Sequence, residues 1–134
     1  MAQINGKYRC IKSENMKEFL EAQGITLNED RIRRLDSGTI TINLDCNQCS
    51  ITYDNGTDSH LSNFRFGESF EEDFGTTKFQ SIASLDGEKI AITSKANGNG
   101  NESVRTYQLM DNVCKITHSS PSNDVIAYRY FERI

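Results

Sequence analysis

The chain has 134 residues and a formal net charge of −4, which fits one compact domain spanning residues 1–134. Its acidic balance argues against nucleic acid as the main partner. No apolar run approaches the roughly 20 residues that a membrane-spanning helix needs, and the N-terminus lacks the charged start and apolar core of a secretory signal. We therefore expect a single soluble domain in the cytoplasm.

The first elements are a strand and a helix. Gly6 to Ile11 alternates in polarity, which predicts a strand. Ser13 is a candidate N-cap for the helix, and Gly24 is its predicted end. The apolar residues at helical spacing between them are Met16, Phe19 and Leu20.

A second short helix follows the first. Thr26 and Glu29 form a capping box, and Asp36 to Gly38 ends the helix. Its apolar positions are Leu27, Ile32 and Leu35, and its arginines are Arg31, Arg33 and Arg34. We interpret the arginines first as a solvated face and second as a docking patch for anionic surfaces. The two helices predict a helix-turn-helix insertion in an otherwise strand-rich chain.

From Thr39 onward, short alternating segments are separated by turn signals. The predicted strands are residues 39–44, 49–53, 60–66, 69–73, 77–85, 89–95, 103–110 and 113–118. With the first strand and a C-terminal one they make ten. Regular spacing with hairpin-length turns predicts an antiparallel up-and-down meander. A flat sheet of this length would expose its edges, so we expect it to close into a barrel.

The C-terminal strand, residues 124–134, has two different faces. One carries Val125, Ala127, Arg129 and Phe131, and the other carries Ile126, Tyr128, Tyr130 and Glu132. Residue propensity favours burying the isoleucine and tyrosine face, with Arg129 in water. The alternative buries Arg129, at a cost of roughly several kcal/mol unless an anion or ordered water meets the guanidinium. In that case the strand would mark an anion-binding cavity.

The residues of the eighth and ninth strands favour a hollow interior. Polar or charged residues occupy both alternating faces there, at Arg105, Thr106, Tyr107, Gln108 and Lys115. A solid apolar core would not accommodate them, whereas a water-filled or ligand-filled interior would.

Cysteines and histidines give no sign of catalysis. Cys46 and Cys49 have C-x-x-C spacing, but no second pair completes a zinc site, and their neighbours predict a two-residue hairpin turn. All four cysteines are expected to be reduced. His60 and His118 are the only histidines, and no nucleophile elbow accompanies them. We predict no enzyme activity, metal or cofactor.

Several stretches together resemble the intracellular lipid-binding proteins, the family of fatty-acid-binding and cellular retinoid-binding proteins. They are Gly6-Lys7-Tyr8, the Ser-Glu-Asn stretch that opens residues 13–20, the Phe-Arg-Phe-Gly-Glu-Ser-Phe-Glu-Glu block of residues 64–72, the Leu-Asp-Gly turn of residues 85–87, and the Tyr-Arg-Tyr-Phe-Glu-Arg of residues 128–133. The register of the resemblance holds over essentially the whole chain.

The resemblance implies a mainly β, ten-stranded antiparallel up-and-down β-barrel, or β-clam, capped by the helix-turn-helix and enclosing one or two hydrophobic ligands. It also implies that Arg129 points inward beneath a ligand carboxylate, whose two oxygens match the planar guanidinium fork. The acyl tail would run toward the helical cap. The residues expected to line its cavity are Met16, Phe19, Leu20, Ile40, Ile42, Phe64 and Phe131.

Three positions depart from the family's pattern. Phe131 replaces a tyrosine whose hydroxyl meets the carboxylate, and Tyr107 stands where a second inward arginine or glutamine usually sits. We expect Tyr107 to supply the hydroxyl and Arg105, on the same face, to supply positive charge, with Lys115 as an alternative. A slipped strand would instead leave Arg105 and Lys115 on the surface. Thr57 stands where many relatives carry a portal phenylalanine.

The resemblance implies an intracellular carrier of a long-chain fatty acid that delivers its ligand to membranes or proteins. Transient membrane contact through the helical cap is part of this expectation. A retinoid, a bile acid or another lipid is an alternative ligand. A ligand-free interaction protein that kept the clam fold is an alternative class. A monomer is expected, because a closed barrel exposes no sheet edge.

Overall fold

The computed structural model of the protein describes residues 3–24, 28–57, 59–73, 78–97 and 102–134. Its helices are α1 (Met16–Ala22) and α2 (Glu29–Arg33), the second followed by a 3-10 turn at Arg34–Asp36. Its strands are β1 (Gly6–Glu14), β2 (Thr39–Asp45), β3 (Gln48–Asp54), β4 (Ser59–Arg65), β5 (Ser69–Asp73), β6 (Lys78–Asp86), β7 (Lys89–Ala96), β8 (Glu102–Met110), β9 (Val113–Ser119) and β10 (Ala127–Arg133).

The ten strands form one antiparallel sheet in the order β4-β3-β2-β1-β10-β9-β8-β7-β6-β5. The first and last strands pair with each other in the middle of this order. The predicted up-and-down β-clam is therefore confirmed, with both helices inserted between β1 and β2. Cys46 and Asn47 form the predicted two-residue turn, so the C-x-x-C spacing belongs to a hairpin.

Side chains complete the barrel between β4 and β5, the two ends of the sheet order. Phe64 of β4 stacks on Phe70 of β5 with ring centroids 4.9 Å apart. Farther along the same two strands, Ser62 donates a hydrogen bond to the Glu72 carboxylate. An open groove of about 270 Å³, lined by residues of both strands, lies at this seam.

The helical insertion begins later than the sequence predicts. β1 continues to Glu14, because it stays paired with β10 beyond a bulge between Cys10 and Lys12. The prediction of Ser13 as the N-cap is therefore wrong, and its hydroxyl donates to the Asp36 carboxylate instead. Asn15, in a left-handed conformation, directly precedes α1. The predicted capping residue Thr26 and the apolar Leu27 lie outside the described residues.

The last strand also begins later than predicted, at Ala127 rather than Asp124. The Asn123 side chain accepts a hydrogen bond from the Val125 backbone N–H at 3.0 Å, which holds the preceding residues in a turn. The strands from β2 to β9 agree with the predicted boundaries to within one residue. Among the residues described, no helix combines the length and the apolarity that crossing a bilayer requires.

Two apolar clusters divide the interior. The larger includes the buried residues Tyr8, Ile42, Ile92 and Phe131, and half-buried Phe70 of β5 packs against it. The smaller lies under the cap, where Met16 and Phe19 of α1 pack against Ala127 of β10, with Leu20 and Val125 at its edge. The cap therefore packs directly on the start of the last strand.

Gly38, just before β2, makes room for an aromatic ring inside the barrel. Its φ is +108°, and a Cβ added to it would lie 2.7 Å from the Tyr53 ring. The Tyr53 hydroxyl donates to the Ser37 carbonyl at 3.1 Å. A side chain at position 38 would therefore strain the backbone and also displace Tyr53.

We predict that Gly38→Ala lowers the free energy of unfolding by about 2–4 kcal/mol, because backbone strain and steric overlap add. Gly67→Ala is the matched control, since Gly67 also has a positive φ (+84°) but nothing within 4 Å of an added Cβ. It should cost about 1–2 kcal/mol. Urea denaturation of both variants measures the difference, and equal losses would contradict the contact with Tyr53.

Candidate functional site

β10 turns Arg129 toward the interior. Its neighbours on the same face, Ala127 and Phe131, are fully buried. The opposite face carries Tyr128 and Tyr130, and the ammonium of Lys115 lies over both of their rings, 4.5 and 5.8 Å from the centroids. The interpretation that buries the isoleucine and tyrosine face is therefore wrong. Lys115 lies on the outer face, so the structure does not bring it to the interior.

Arg129 contacts Ser37, Tyr53 and Phe131 at the cap end of the barrel. Its Nη2 donates to the Ser37 carbonyl at 3.1 Å and to the Tyr53 hydroxyl at 3.4 Å. Its guanidinium lies 5.1 Å from the centroid of the Tyr53 ring and 4.9 Å from that of Phe131. Phe131 stands where the family pattern has a tyrosine, so it presents the face of an aromatic ring to Arg129 instead of a hydroxyl group.

The strand register brings Arg105 and Tyr107 to the same wall. Tyr107 and Arg129 both pair with Ile116 of β9, so one strand separates them. Two strand spacings amount to about 10 Å. Arg105 follows on the same face of β8, opposite His118. The hypothesis of a slipped strand with Arg105 on the surface is therefore wrong.

Arg105 binds two partners inside the barrel. Its Nη2 donates to Oε2 of Glu72 on β5 at 2.8 Å, and its Nε donates to the Tyr107 hydroxyl at 2.8 Å. The Glu72 side chain is only 1% exposed and that of Arg105 16%. Arg105 thus belongs to a buried ion pair that the sequence analysis did not anticipate, and Tyr107 is hydrogen-bonded to its guanidinium.

Five side chains from four strands surround the Glu72 carboxylate. Besides Arg105, they are His60 and Ser62 of β4, Ser81 of β6 and Ser94 of β7. Ser81 donates at 2.8 Å, Ser94 at 3.3 Å, and Nε2 of His60 lies at 3.4 Å. We call these residues, together with Glu72, the Glu72 cluster.

Glu72 is held as an anion. Burial by itself would raise the pKa of its carboxyl group. The hydrogen bonds with His60, Ser62 and Ser81, together with the Arg105 charge, outweigh burial and hold the pKa of Glu72 well below its usual range. Burial by itself would lower the pKa of Arg105, but its interactions with Tyr107 and Glu72 outweigh burial and raise it. The pair is therefore ionised at neutral pH.

The Ser62–His60–Glu72 contacts do not have the geometry of a hydrolytic triad. In such a triad the serine and the acid bind opposite nitrogens of the imidazole. Here Ser62 (3.1 Å) and Glu72 (3.4 Å) both lie at Nε2 of His60. Ser62 also donates its hydroxyl proton to Glu72. The serine is therefore not poised to lose its proton to the imidazole.

His118 lies between the polar wall and the cap. It stands on the inner face of β9, and its ring packs against Phe19 of α1 with centroids 5.7 Å apart. Burial, together with the positive charges of Arg105 and Arg129, lowers the pKa of His118 to about 3. The imidazole is therefore neutral at pH 7.

The predicted cavity-lining residues fall into the two apolar clusters. Ile40, Ile42, Phe64 and Phe131 belong to the larger cluster, and Met16 and Phe19, with half-buried Leu20, belong to the cluster under the cap. Their contact with a ligand stays a prediction. Thr57 is exposed.

Sequence reasoning missed Tyr53 and, apart from Arg105, the Glu72 cluster. Strand parity offered a signal for both. Tyr53 shares its face with the buried Ile51, and Glu72 alternates with Phe70, whereas Glu71 between them points outward and is exposed. A carboxylate at a position of inward parity indicates a buried partner.

No family model matches the chain. In sequence it is 29% identical to fatty acid-binding protein 12 of Homo sapiens over 133 residues, which cover 98% of this chain and 92% of that protein. It is 24% identical to a fatty acid-binding protein of Tyrophagus putrescentiae, over 99% of both chains.

Solved structures of similar shape include the REP1-NXSQ fatty acid transporter, with a TM-score of 0.86, 21% identity and coverage of 100% of this chain and 98% of that one. Another is apo lipid binding protein 8 of Caenorhabditis elegans, with a TM-score of 0.84, 23% identity and coverage of 97% and 94%. At these identities the likeness shows the fold.

The strand order and the two inserted helices define a ten-stranded β-clam. The similarity to fatty acid-binding proteins extends over nearly the whole chain. It confirms the resemblance to the intracellular lipid-binding protein family.

We predict that His118 makes the protein less stable as the pH falls below 7. The unfolded chain binds a proton at His118 near its ordinary pKa of about 6.5, whereas the folded chain resists protonation down to pH 3 or so. The stabilising contribution is therefore complete above the unfolded pKa. About 2 kcal/mol of it should be lost between pH 7 and pH 5.

Urea denaturation at pH 7 and pH 5 tests this prediction when the wild type is compared with His118→Gln. The variant should lose most of the pH dependence in this interval. The same dependence in both proteins would show that His118 is not the group responsible.

Proposed function

We propose that the protein is an intracellular carrier that binds a long-chain fatty acid inside the barrel, with the ligand carboxylate at Arg129. The observation that carries the proposal is the inward Arg129, whose Nη2 donates to the Ser37 carbonyl and to the Tyr53 hydroxyl. A guanidinium in this position can form a bidentate, charge-assisted pair with a carboxylate that enters the barrel. Tyr107 and Arg105 complete the polar wall one strand farther along.

The apolar interior suits the alkyl chain of such a ligand. Ile40, Ile42 and Phe64 belong to the larger buried cluster, and Met16, Phe19 and Leu20 belong to the cluster under the cap. Each methylene group that leaves water contributes about 0.8 kcal/mol to binding. A long chain therefore supplies most of the affinity, and Arg129 fixes the orientation.

The names of the similar proteins support transport rather than catalysis. The sequence relatives are named fatty acid-binding proteins, and one structural neighbour is named a fatty acid transporter. We propose reversible binding without chemical conversion of the ligand. The contacts of His60 agree with this proposal, because its Nε2 is shared between Ser62 and Glu72.

We further propose a cytoplasmic monomer that delivers its ligand through transient contact of the helical cap with membranes or proteins. The thiols of Cys10, Cys46, Cys49 and Cys114 are all free, which suits a reducing compartment. The continuous sheet, with its ends joined by side chains at β4 and β5, favours a monomer.

We predict that Arg129→Ala weakens oleate binding about 10- to 100-fold, because it removes charge-assisted hydrogen bonds to the buried carboxylate. Isothermal titration calorimetry measures the change. Arg9→Ala is the matched control, since Arg9 is exposed on β1 and pairs only loosely with Glu132, at 3.6 Å. It should change the affinity less than threefold, or so. Equal losses in the two variants would contradict the assignment of Arg129.

A further inference from the structure

We propose that Nε2 of His118 is a second polar contact for the ligand, so that the barrel prefers a long-chain fatty acid with a hydroxyl group on its alkyl chain. The inference rests on the proposed function, and it narrows the ligand class from fatty acids to hydroxylated fatty acids. The binding of the carboxylate at Arg129 leaves His118 without a role, although its side chain lies in the interior.

The first observation concerns the hydrogen bonding of the His118 ring. Its Nε2 is shielded from solvent, and within residues 3–24, 28–57, 59–73, 78–97 and 102–134 no donor or acceptor lies within hydrogen-bonding distance of it. Buried polar atoms in proteins almost always have a hydrogen-bond partner, because a nitrogen that leaves water without gaining one costs free energy. We therefore infer that the ligand supplies the partner of this nitrogen.

The second observation is the position of His118 on the inner face of β9. His118 pairs with Ala127 of β10, and Ile116, two residues earlier, pairs with Arg129. The Cα atoms of His118 and Arg129 are therefore about 8 Å apart, one strand spacing across and two residues along. The His118 ring packs against Phe19, and Phe19 and Ala127 both belong to the cluster under the cap. The part of a ligand that lies between Arg129 and this cluster is therefore beside His118.

The protonation state of His118 indicates which oxygen group suits it. The imidazole is neutral at pH 7, because burial and the positive charges of Arg105 and Arg129 lower its pKa to about 3. Each nitrogen of a neutral imidazole either donates a hydrogen bond or accepts one, depending on the tautomer. A hydroxyl group does both, so it can bind Nε2 in either tautomer, whereas a keto or ether oxygen only accepts. A hydroxyl is therefore the best match for this nitrogen.

Stearate and a series of monohydroxystearates, with the hydroxyl moved from the fourth to the twelfth carbon, test the proposal. For each protein, isothermal titration calorimetry gives the ratio of the affinity for each hydroxystearate to the affinity for stearate. We expect at least one hydroxystearate to bind the wild type more tightly than stearate does. In His118→Leu the ratio for that compound should fall at least about tenfold, because its hydroxyl would be buried without a partner.

Two amide variants show whether Nε2 is the nitrogen involved, and they also serve if His118→Leu fails to fold. The side-chain amide of His118→Gln reaches as far as Nε2, whereas that of His118→Asn reaches only as far as Nδ1. An amide, like a neutral imidazole, both donates and accepts hydrogen bonds. We therefore expect the glutamine variant to keep most of the preference for the hydroxystearate and the asparagine variant to lose it. Equal ratios in the two variants would overturn the proposal.

Nitrogen NMR of the histidine rings gives a direct readout, since a new hydrogen bond shifts the resonance of the bonded nitrogen. The preferred hydroxystearate should shift the Nε2 resonance of His118 more than stearate does. A wild type that binds stearate but no hydroxystearate more tightly, or a ratio that is unchanged in His118→Leu, would overturn this inference and leave the proposed function in place. A wild type that binds none of these compounds would overturn the proposed function itself.

Discussion

The buried carboxylate of Glu72 is the interaction on which the interior of this barrel depends. The sheet order ends at β4 and β5, so backbone pairing alone does not join these strands. Glu72 of β5 accepts hydrogen bonds from serines of β4, β6 and β7. It also forms an ion pair with Arg105 of β8. A single negative charge therefore both completes the wall and neutralises Arg105. Removing one partner of such a buried pair typically costs about 3–5 kcal/mol, so closure of the barrel and its internal charge are coupled.

Arg129 links this polar wall to the helical cap. It stands two residues after Ala127, against which Met16 and Phe19 of α1 pack. Its partner Tyr53 fits beside it because position 38 has no side chain. The cap, the start of the last strand and the proposed headgroup site therefore form one contiguous unit. A displacement of α1 would therefore shift Ala127 of β10 and, with it, the position of Arg129.

Much of the fold follows from local patterns, whereas the site depends on long-range register. Turn residues and alternation predict the meander, since both act over a few residues. Residue propensity wrongly assigned Tyr128 and Tyr130 of β10 to the inner face. Both rings point outward and lie beneath the ammonium of Lys115 on β9, a contact that the sequence of β10 alone does not predict. The resemblance to lipid-binding proteins corrected that face. The local sequence does not distinguish the exposed Glu71 from the buried Glu72. Glu72 differs because serines and Arg105 of other strands bind its carboxylate.

The central claim is that the barrel carries a lipid with one carboxylate, and mass spectrometry of the purified protein tests it most directly. Spectra are recorded under native conditions and again after organic extraction. The account predicts a 1:1 complex with a long-chain monocarboxylic acid, either copurified or formed on addition of oleate, and a complex depleted in the Arg129→Ala variant. Protein that stays at its bare mass and takes up no added oleate would contradict it.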